Sequence, residues 1–256
     1  VEYYKFEKML DRKIIFVLFL SLFHFSVKAQ KQELRTLYLQ QISLDADWST
    51  TFDGGYYKGL TNANYTRWGI RNVTKYRLNG TLVLDAGFMY NRVDRYENGV
   101  ENEFRPHQSL HVAYPRFENM TIKHRFRMEE QFYTHSYNDK TDFATRLRYA
   151  VSTQRAIDFK KRIEPNTLYW KASCELSFNF IGRLIEEDKH LFQRGRYGLG
   201  LGYQFNSKMS IEGMVYYQRT YSNASFHEYS DLTIYNFYLK RRVFWQKKKK
   251  KVVSPT

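Results

Sequence analysis

Alternation of apolar and polar side chains, sustained over segments longer than ordinary strands, constrains this chain more than any other feature. From Gln41 to Phe52, the residues Ile42, Leu44, Ala46, Trp48 and Phe52 fall on one face, and Gln41, Ser43, Asp45, Asp47, Ser49 and Thr51 fall on the other. A helical period would place these two sets on overlapping faces, so the period of two selects a strand. The pattern returns where Trp170, Ala172, Cys174, Leu176 and Phe178 oppose Lys171, Ser173, Glu175, Ser177 and Asn179. It returns again where Tyr197, Leu199, Leu201, Tyr203 and Phe205 oppose Arg196, Gly198, Gly200, Gly202 and Gln204. Ten strands are predicted, near 41–52, 66–78, 81–91, 104–114, 120–133, 143–154, 167–180, 192–205, 209–221 and 230–245, with twelve as the alternative count. They exceed the usual globular strand of about 5–6 residues and suit a tilted crossing of a hydrocarbon layer, for which about 9–11 residues suffice.

Composition identifies the medium that the apolar face meets. Aromatics make up 18% of the chain, with 22 Tyr and 20 Phe, and membrane interfaces use Tyr and Trp as anchors. A mean hydropathy of −0.64 excludes a bundle of transmembrane helices. It leaves a membrane barrel open, because half of each barrel strand can be polar. The bulky charges share one face and the aromatics crowd the other, which suits lipid outside and a polar interior. The soluble alternative is a large β-sandwich or a lipocalin-like barrel, in which the apolar face points inward. The expected fold is therefore an all-β, transmembrane, antiparallel up-and-down barrel.

Connections are expected to alternate in length. Asn79-Gly80, Asn206-Ser207-Lys208 and Pro115 to Asn119 read as short turns, and 53–65, 92–103, 134–142, 181–191 and 222–229 as long polar loops. With both ends of the barrel chain on the periplasmic side, the short turns fall inside and the long loops outside. The stretch 155–166 breaks this rule, being long and basic at a position where a short turn is expected.

The beginning of the sequence reads as an export signal. Met9 is followed by Asp11-Arg12-Lys13 and an apolar run from Ile14 to Phe25, and Val27-Lys28-Ala29 fits a signal-peptidase site that leaves Gln30 first. Residues 1–8 are then upstream or scar residues, 9–29 the signal peptide, 30–245 the barrel and 246–256 a basic tail. The formal charge of +15 falls to an excess of 31 basic over 23 acidic residues between Gln30 and Trp245 once the signal and the tail are set aside. An exported chain meets little nucleic acid, so the Lys247–Lys251 run reads as a solvated tail. Cys174 is the single cysteine, which excludes an internal disulfide framework and a Cys-based zinc site.

Several segments carry a family resemblance. Lys123-His124-Arg125-Phe126-Arg127-Met128-Glu129-Glu130-Gln131-Phe132 resembles a basic–aromatic strand of the outer-membrane family of domain of unknown function 2490, and Phe143 to Tyr149 resembles the strand that follows it. Glu175 before Phe178-Asn179, and Gln193-Arg194-Gly195-Arg196-Tyr197 through Gly202-Tyr203, are similar to that family's later strands. The resemblance covers the mature chain and implies a bacterial outer-membrane barrel, with no activity attached. The chain here continues past Phe244-Trp245, which stands as an internal version of the terminal aromatic read by the barrel-assembly machinery. The partners implied are that machinery and outer-membrane lipid.

The candidate site is the polar interior. Arg67, Arg71, Lys75, Arg77, Arg105, Lys123, Arg125, Arg127, Arg146, Arg148, Lys171, Arg194 and Arg196 are predicted to point inward, against Asp45, Asp47, Asp85, Glu129, Glu175 and Glu212. Of these, Arg71, Arg125, Arg127, Glu129, Arg146, Arg148, Glu175, Arg194, Arg196 and Glu212 are expected to form a charged network. Small barrels fill with side chains, and open channels come with sixteen strands or more, so the leading expectation is a non-catalytic barrel with a narrow or plugged lumen. An anion-selective constriction is the second reading, since rings of Arg and Lys favour anions in pores. A lipid-modifying enzyme is the third, resting on His107, Ser109 and His111, which share a face where a His could activate the Ser hydroxyl. Neither a cofactor nor a metal is expected. Glu101, Glu103, Glu186, Glu187 and Asp188 read as solvated acidic loops whose spacing does not fit a calcium loop. Gly198, Gly200 and Gly202 read as small residues facing a crowded lumen.

Overall fold

A computed structural model describes residues 31–61, 64–95, 99–117, 119–136, 141–158, 162–182, 192–221 and 229–245. The expected export signal, the basic tail, the Glu186–Asp188 acids, His190 and His227 lie outside the described residues. Eleven strands close into one barrel: β1 (Lys31–Ser43), β2 (Trp48–Gly59), β3 (Tyr65–Arg77), β4 (Leu82–Arg95), β5 (Gly99–Phe117), β6 (Met120–His135), β7 (Thr141–Ala156), β8 (Thr167–Gly182), β9 (Phe192–Asn206), β10 (Met209–Tyr221) and β11 (Tyr229–Phe244). Each pairs antiparallel with its sequence neighbour, and the barrel is closed by a parallel pairing of β1 with β11, from Lys31↔Leu232 to Ser43↔Phe244.

The count corrects the expected ten or twelve, and the parallel seam corrects the purely antiparallel arrangement. In a closed meander an even number of strands brings the first and last together antiparallel, and an odd number brings them together parallel. The unanticipated strand is β1. Its inward residues mix Glu33 and Arg35 with Leu37 and Leu39, and Leu34, Tyr38 and Ile42 lie on the other face, so the two faces differ little in polarity. The predicted strand at 41–52 spans a turn instead. Asp45 Oδ1 accepts from the backbone N–H groups of Asp47 and Trp48 at 2.9 and 2.7 Å, and Ser43 pairs with Ser49. The turn preserves parity, so alternation continues unbroken through it. The stretch 53–65, expected as a loop, is largely β2. Its Gly55 lets the backbone approach β1, since a Cβ there would lie 3.0 Å from Leu37 Cγ and 3.2 Å from the Thr36 carbonyl oxygen.

The extra strand also moves one end of the barrel chain. Leu60 N–H donates to Gln32 O at 2.8 Å, at the mouth where β2 leads to β3, whereas Trp245 N–H donates to Ser43 O at 2.8 Å beside the β1–β2 turn. Lys31 and Phe244 therefore lie at opposite mouths, against the expectation of a common side. The connection after Ala156 remains long, reaching Thr167 without a strand between the described parts. Pro115 lies within β5 beside a register shift between Ala113 and Arg116, the setting in which a strand tolerates a residue that cannot donate.

Outward and inward faces differ sharply in chemistry. Outside stand Phe52 at 51% exposure, Ile70 at 53%, Phe126 at 50% and Phe237 at 52%. Inside, Glu33 and Glu129 are each 1% exposed, and Arg127 is 5% exposed. Outward aromatics group toward both mouths. Trp48 and Tyr76 approach to 4.7 Å between ring centroids at the short-turn mouth, with Tyr203 and Phe205 at 5.0 Å. At the other mouth stand Trp68 with Tyr90 at 5.5 Å and Phe132 with Phe143 at 5.0 Å. The expected role of the inward glycines on β9 holds: a Cβ on Gly198 would overlap the ring of Tyr216, and one on Gly202 the ring of Tyr169.

The charged interior of the barrel

Alternate residues of each strand bring their charged ends into one confined space, where each carboxylate collects several donors. Glu129 accepts from Arg148 Nη1 at 2.5 Å, with Arg105 Nη1 at 3.7 Å and Arg127 Nη1 at 3.9 Å. Glu175 accepts from Arg148 Nη2 at 2.6 Å and Arg125 Nη2 at 2.7 Å, with Arg196 Nη1 at 3.7 Å. Arg148 thus joins the two carboxylates, and its planar fork suits the task better than an ammonium would. Arg196 also donates to Gln218 Oε1 at 3.0 and 2.6 Å. Predicted members Arg125, Arg127, Glu129, Arg148, Glu175 and Arg196 therefore form one network across β6 to β9.

Four predicted members stand apart from it. Arg71 pairs with Asp53 at 2.7 Å. Glu212 accepts from Tyr169 O–H at 2.8 Å, Lys171 Nζ at 3.1 Å and Lys240 Nζ at 2.5 Å, nearer the short-turn mouth. Arg146 and Arg194 point inward yet make no ion pair or hydrogen bond with any described residue, and the Nε of each is buried without a partner.

Other placements depart from expectation. Asp45 and Asp47 lie in the β1–β2 turn, outside the interior to which they were assigned, because the predicted first strand ran through that turn. Arg77 is exposed at a strand end. Glu103, expected in a solvated loop, is 5% exposed inside the barrel and accepts from Asn91 Nδ2 at 2.8 Å, Gln131 Nε2 at 2.9 Å and Arg105 Nε at 3.0 Å. Glu101 is held by Arg95 at 3.1 Å near the mouth. Sequence reasoning missed Glu33, Arg35, Asp53 and Lys240. Glu33 gathers Arg35, the Tyr65 hydroxyl and Arg67, the last at 3.4 Å. Arg67 lies 4.1 Å over the Tyr57 ring, a geometry that favours a guanidinium. Glu33 precedes the first predicted strand and Asp53 falls in a predicted loop, and parity extended from Gln41 and Thr51 would have found both.

The His107/Ser109/His111 group faces inward as expected, without the order that nucleophilic catalysis needs. In a Ser–His–carboxylate triad the histidine lies between the serine and the carboxylate. Here His111 Nε2 lies 2.5 Å from Asp85 Oδ2, and Ser109 Oγ accepts from Arg127 Nε at 2.9 Å. His107 Nε2 is buried without a partner. An apolar groove of about 670 Å³ opens beside this group, lined by Trp48, Tyr76, Leu84, Leu110, Phe126 and Met128 among others. Asp85, Ser109 and Arg127 line it too, with the Ser109 hydroxyl held by Arg127.

The model of a family described as protein of unknown function, DUF2490, matches residues 36–229 of the chain. No curated protein matches it.

Proposed function

The chain belongs to the DUF2490 family, and on that footing we propose that it is a non-catalytic integral barrel of the bacterial outer membrane, its lumen closed by an Arg–carboxylate network. The observation that carries this reading is the inverted distribution of polarity. A monomeric soluble protein rarely exposes a contiguous apolar patch of more than a few hundred Å². This wall is apolar around its circumference while its charges are buried within. Aromatics toward both mouths match the girdles that membrane barrels place at the two interfaces.

Burial of Arg127, Glu129 and Gln131 along β6, with Arg146 opposite Glu129, supports a closed lumen. A narrow anion path is the second reading, favoured by Arg71 and Arg125, whose side chains keep 27% and 25% of their surface exposed inside the barrel. Outer-membrane lipid against the wall and the assembly machinery acting on the strands are the partners this reading requires.

Two measurements test it. Cell fractionation with heat-modifiable migration in detergent gels places the protein in the outer membrane or in the periplasm, and a soluble periplasmic protein ends the reading. Single-channel recording on the purified barrel is expected to show little or no steady current. Small currents that favour anions select the second reading, and a large stable conductance refutes the closed lumen.

A further inference from the structure

We infer that Arg146 and Arg194 form a binding site for a small phosphate-class oxyanion inside the barrel, beneath the mouth bearing the β8–β9 connection. The inference rests on the membrane-barrel reading and assigns a ligand to its interior.

The arginines around Glu103, Glu129 and Glu175 divide into two groups. Glu103, Glu129 and Glu175 together serve Arg105, Arg125, Arg127, Arg148 and Arg196. Arg146 and Arg194 are left over. Arg146 is 6% exposed, and Arg194 is half-buried, so part of its surface stays open to the lumen. An unpaired charge in such a place is costly, and buried charges are ordinarily paired.

Register brings these two arginines to the same part of the barrel. Arg146 on β7 pairs with Asn179 on β8, and Arg194 on β9 pairs with Ser177 on β8. The two arginines thus flank one short stretch of β8 from either side, where directly opposed residues have Cβ atoms about 4.5–5.5 Å apart. Ser177 is 1% exposed and Asn179 3% exposed, and Ser177 Oγ and Asn179 Oδ1 are both buried without a partner. Arg146 Nε, Arg194 Nε and the Ser177 hydroxyl are donors without a partner, a set that fits an anion with several acceptor atoms, to which Asn179 would turn its amide NH₂ and not the oxygen.

Charge selects the class. Among the described residues neither guanidinium has an ion pair within 4 Å, although Glu129 stands opposite Arg146 across the β6–β7 pair, and a phosphate group, which carries roughly −1.5 to −2 near pH 7, supplies the close counter-charge. Its oxygens match the planar fork of arginine and accept from a hydroxyl as well. Chloride offers a single charge and no such geometry.

The test uses the full barrel folded in detergent, its folding checked first by heat-modifiable migration. Inorganic phosphate is compared with sodium chloride at equal ionic strength. Phosphate is expected to raise the melting temperature of the wild type by about 5–10 °C at a hundred-fold excess over Kd and to leave Arg146→Gln and Arg194→Gln unmoved. In phosphate-free buffer Arg146→Gln should melt above the wild type, because it removes a buried charge that lacks a close ion pair. A merely structural arginine would give the opposite shift. Broadening of the phosphorus-31 signal of phosphate by wild-type barrel provides a readout that requires no variant. Equal stabilisation by phosphate and chloride, or an undiminished phosphate response in both variants, overturns the site. A protein that lacks heat-modifiable migration instead defeats the membrane-barrel reading.

Discussion

Arg148 Nη1 donates to Glu129 at 2.5 Å, and Glu129 is 1% exposed, so an ion pair rather than an apolar cluster holds this level of the barrel together. Taking away one partner of a buried pair costs about 3–5 kcal/mol where the other is left unpaired. Glu129 keeps Arg105 and Arg127 nearby, and Glu175 keeps Arg125, so Arg148→Ala is expected to lower the unfolding free energy in urea titrations of the folded barrel by less than that. Arg148→Lys should recover only part, because an ammonium cannot reach Glu129 and Glu175 in one plane. An unchanged midpoint for Arg148→Ala would mean that the network adds nothing to stability.

The wall and the lumen should respond oppositely to charge. Leu147 faces outward at 39% exposure, and Arg148 beside it faces in. Arginine on a lipid face near the midplane costs about 2–4 kcal/mol, so Leu147→Arg should lower the fraction of folded, heat-modifiable protein in liposomes. Leu147→Phe should leave that fraction near the wild-type value. Similar losses from both substitutions would argue against a lipid-facing wall.

Gly202 lies under Tyr169, and a β-carbon there would overlap the ring. Overpacking a closed interior costs about 1–3 kcal/mol. Gly202→Val is expected to shift the unfolding midpoint downward by that measure. Adding Tyr169→Ala should recover less than the overlap alone would suggest, because Tyr169 also donates to Glu212 at 2.8 Å. Full tolerance of Gly202→Val would show that the lumen has space at this level.

Ser109 serves as an acceptor for Arg127 Nε at 2.9 Å. Ser109→Ala should cost about 1–3 kcal/mol, the price of leaving a buried donor unpaired, while mass spectra of membrane lipids from expressing cells stay unchanged. Loss of a lipid modification in that variant would restore the enzymatic reading of the His107/Ser109/His111 group.

Most strands were legible because their alternation is local: each inward polar residue is followed by an outward apolar one, whatever the rest of the chain does. The observed bounds of β3, β9 and β10 fall within a residue of those predicted from the period alone. The inward facing of the ten predicted network residues followed from the same parity. β1 escaped because Leu37 and Leu39 share its inward face with Glu33 and Arg35, and β2 because Gly54, Gly55 and Gly59 resemble loop composition. In both, contact with a neighbouring strand supplies what local pattern lacks, as at Gly55, where the missing side chain admits Leu37.

The sequence by itself determined the period of two, the segregation of charges from aromatics and hence which face of most strands is polar. Those properties belong to single segments, and the geometry of an extended backbone translates them directly into faces. Tertiary structure alone decided that an eleventh strand joins, that β1 and β11 meet in parallel and that Lys31 and Phe244 lie at opposite mouths. It also decided which arginine each carboxylate takes, so that Arg148 bridges Glu129 and Glu175 while Arg146 and Arg194 remain unpaired. Closure and register are collective, because a one-residue slip of any strand would move all its inward side chains to the wall, and no single segment records the choice.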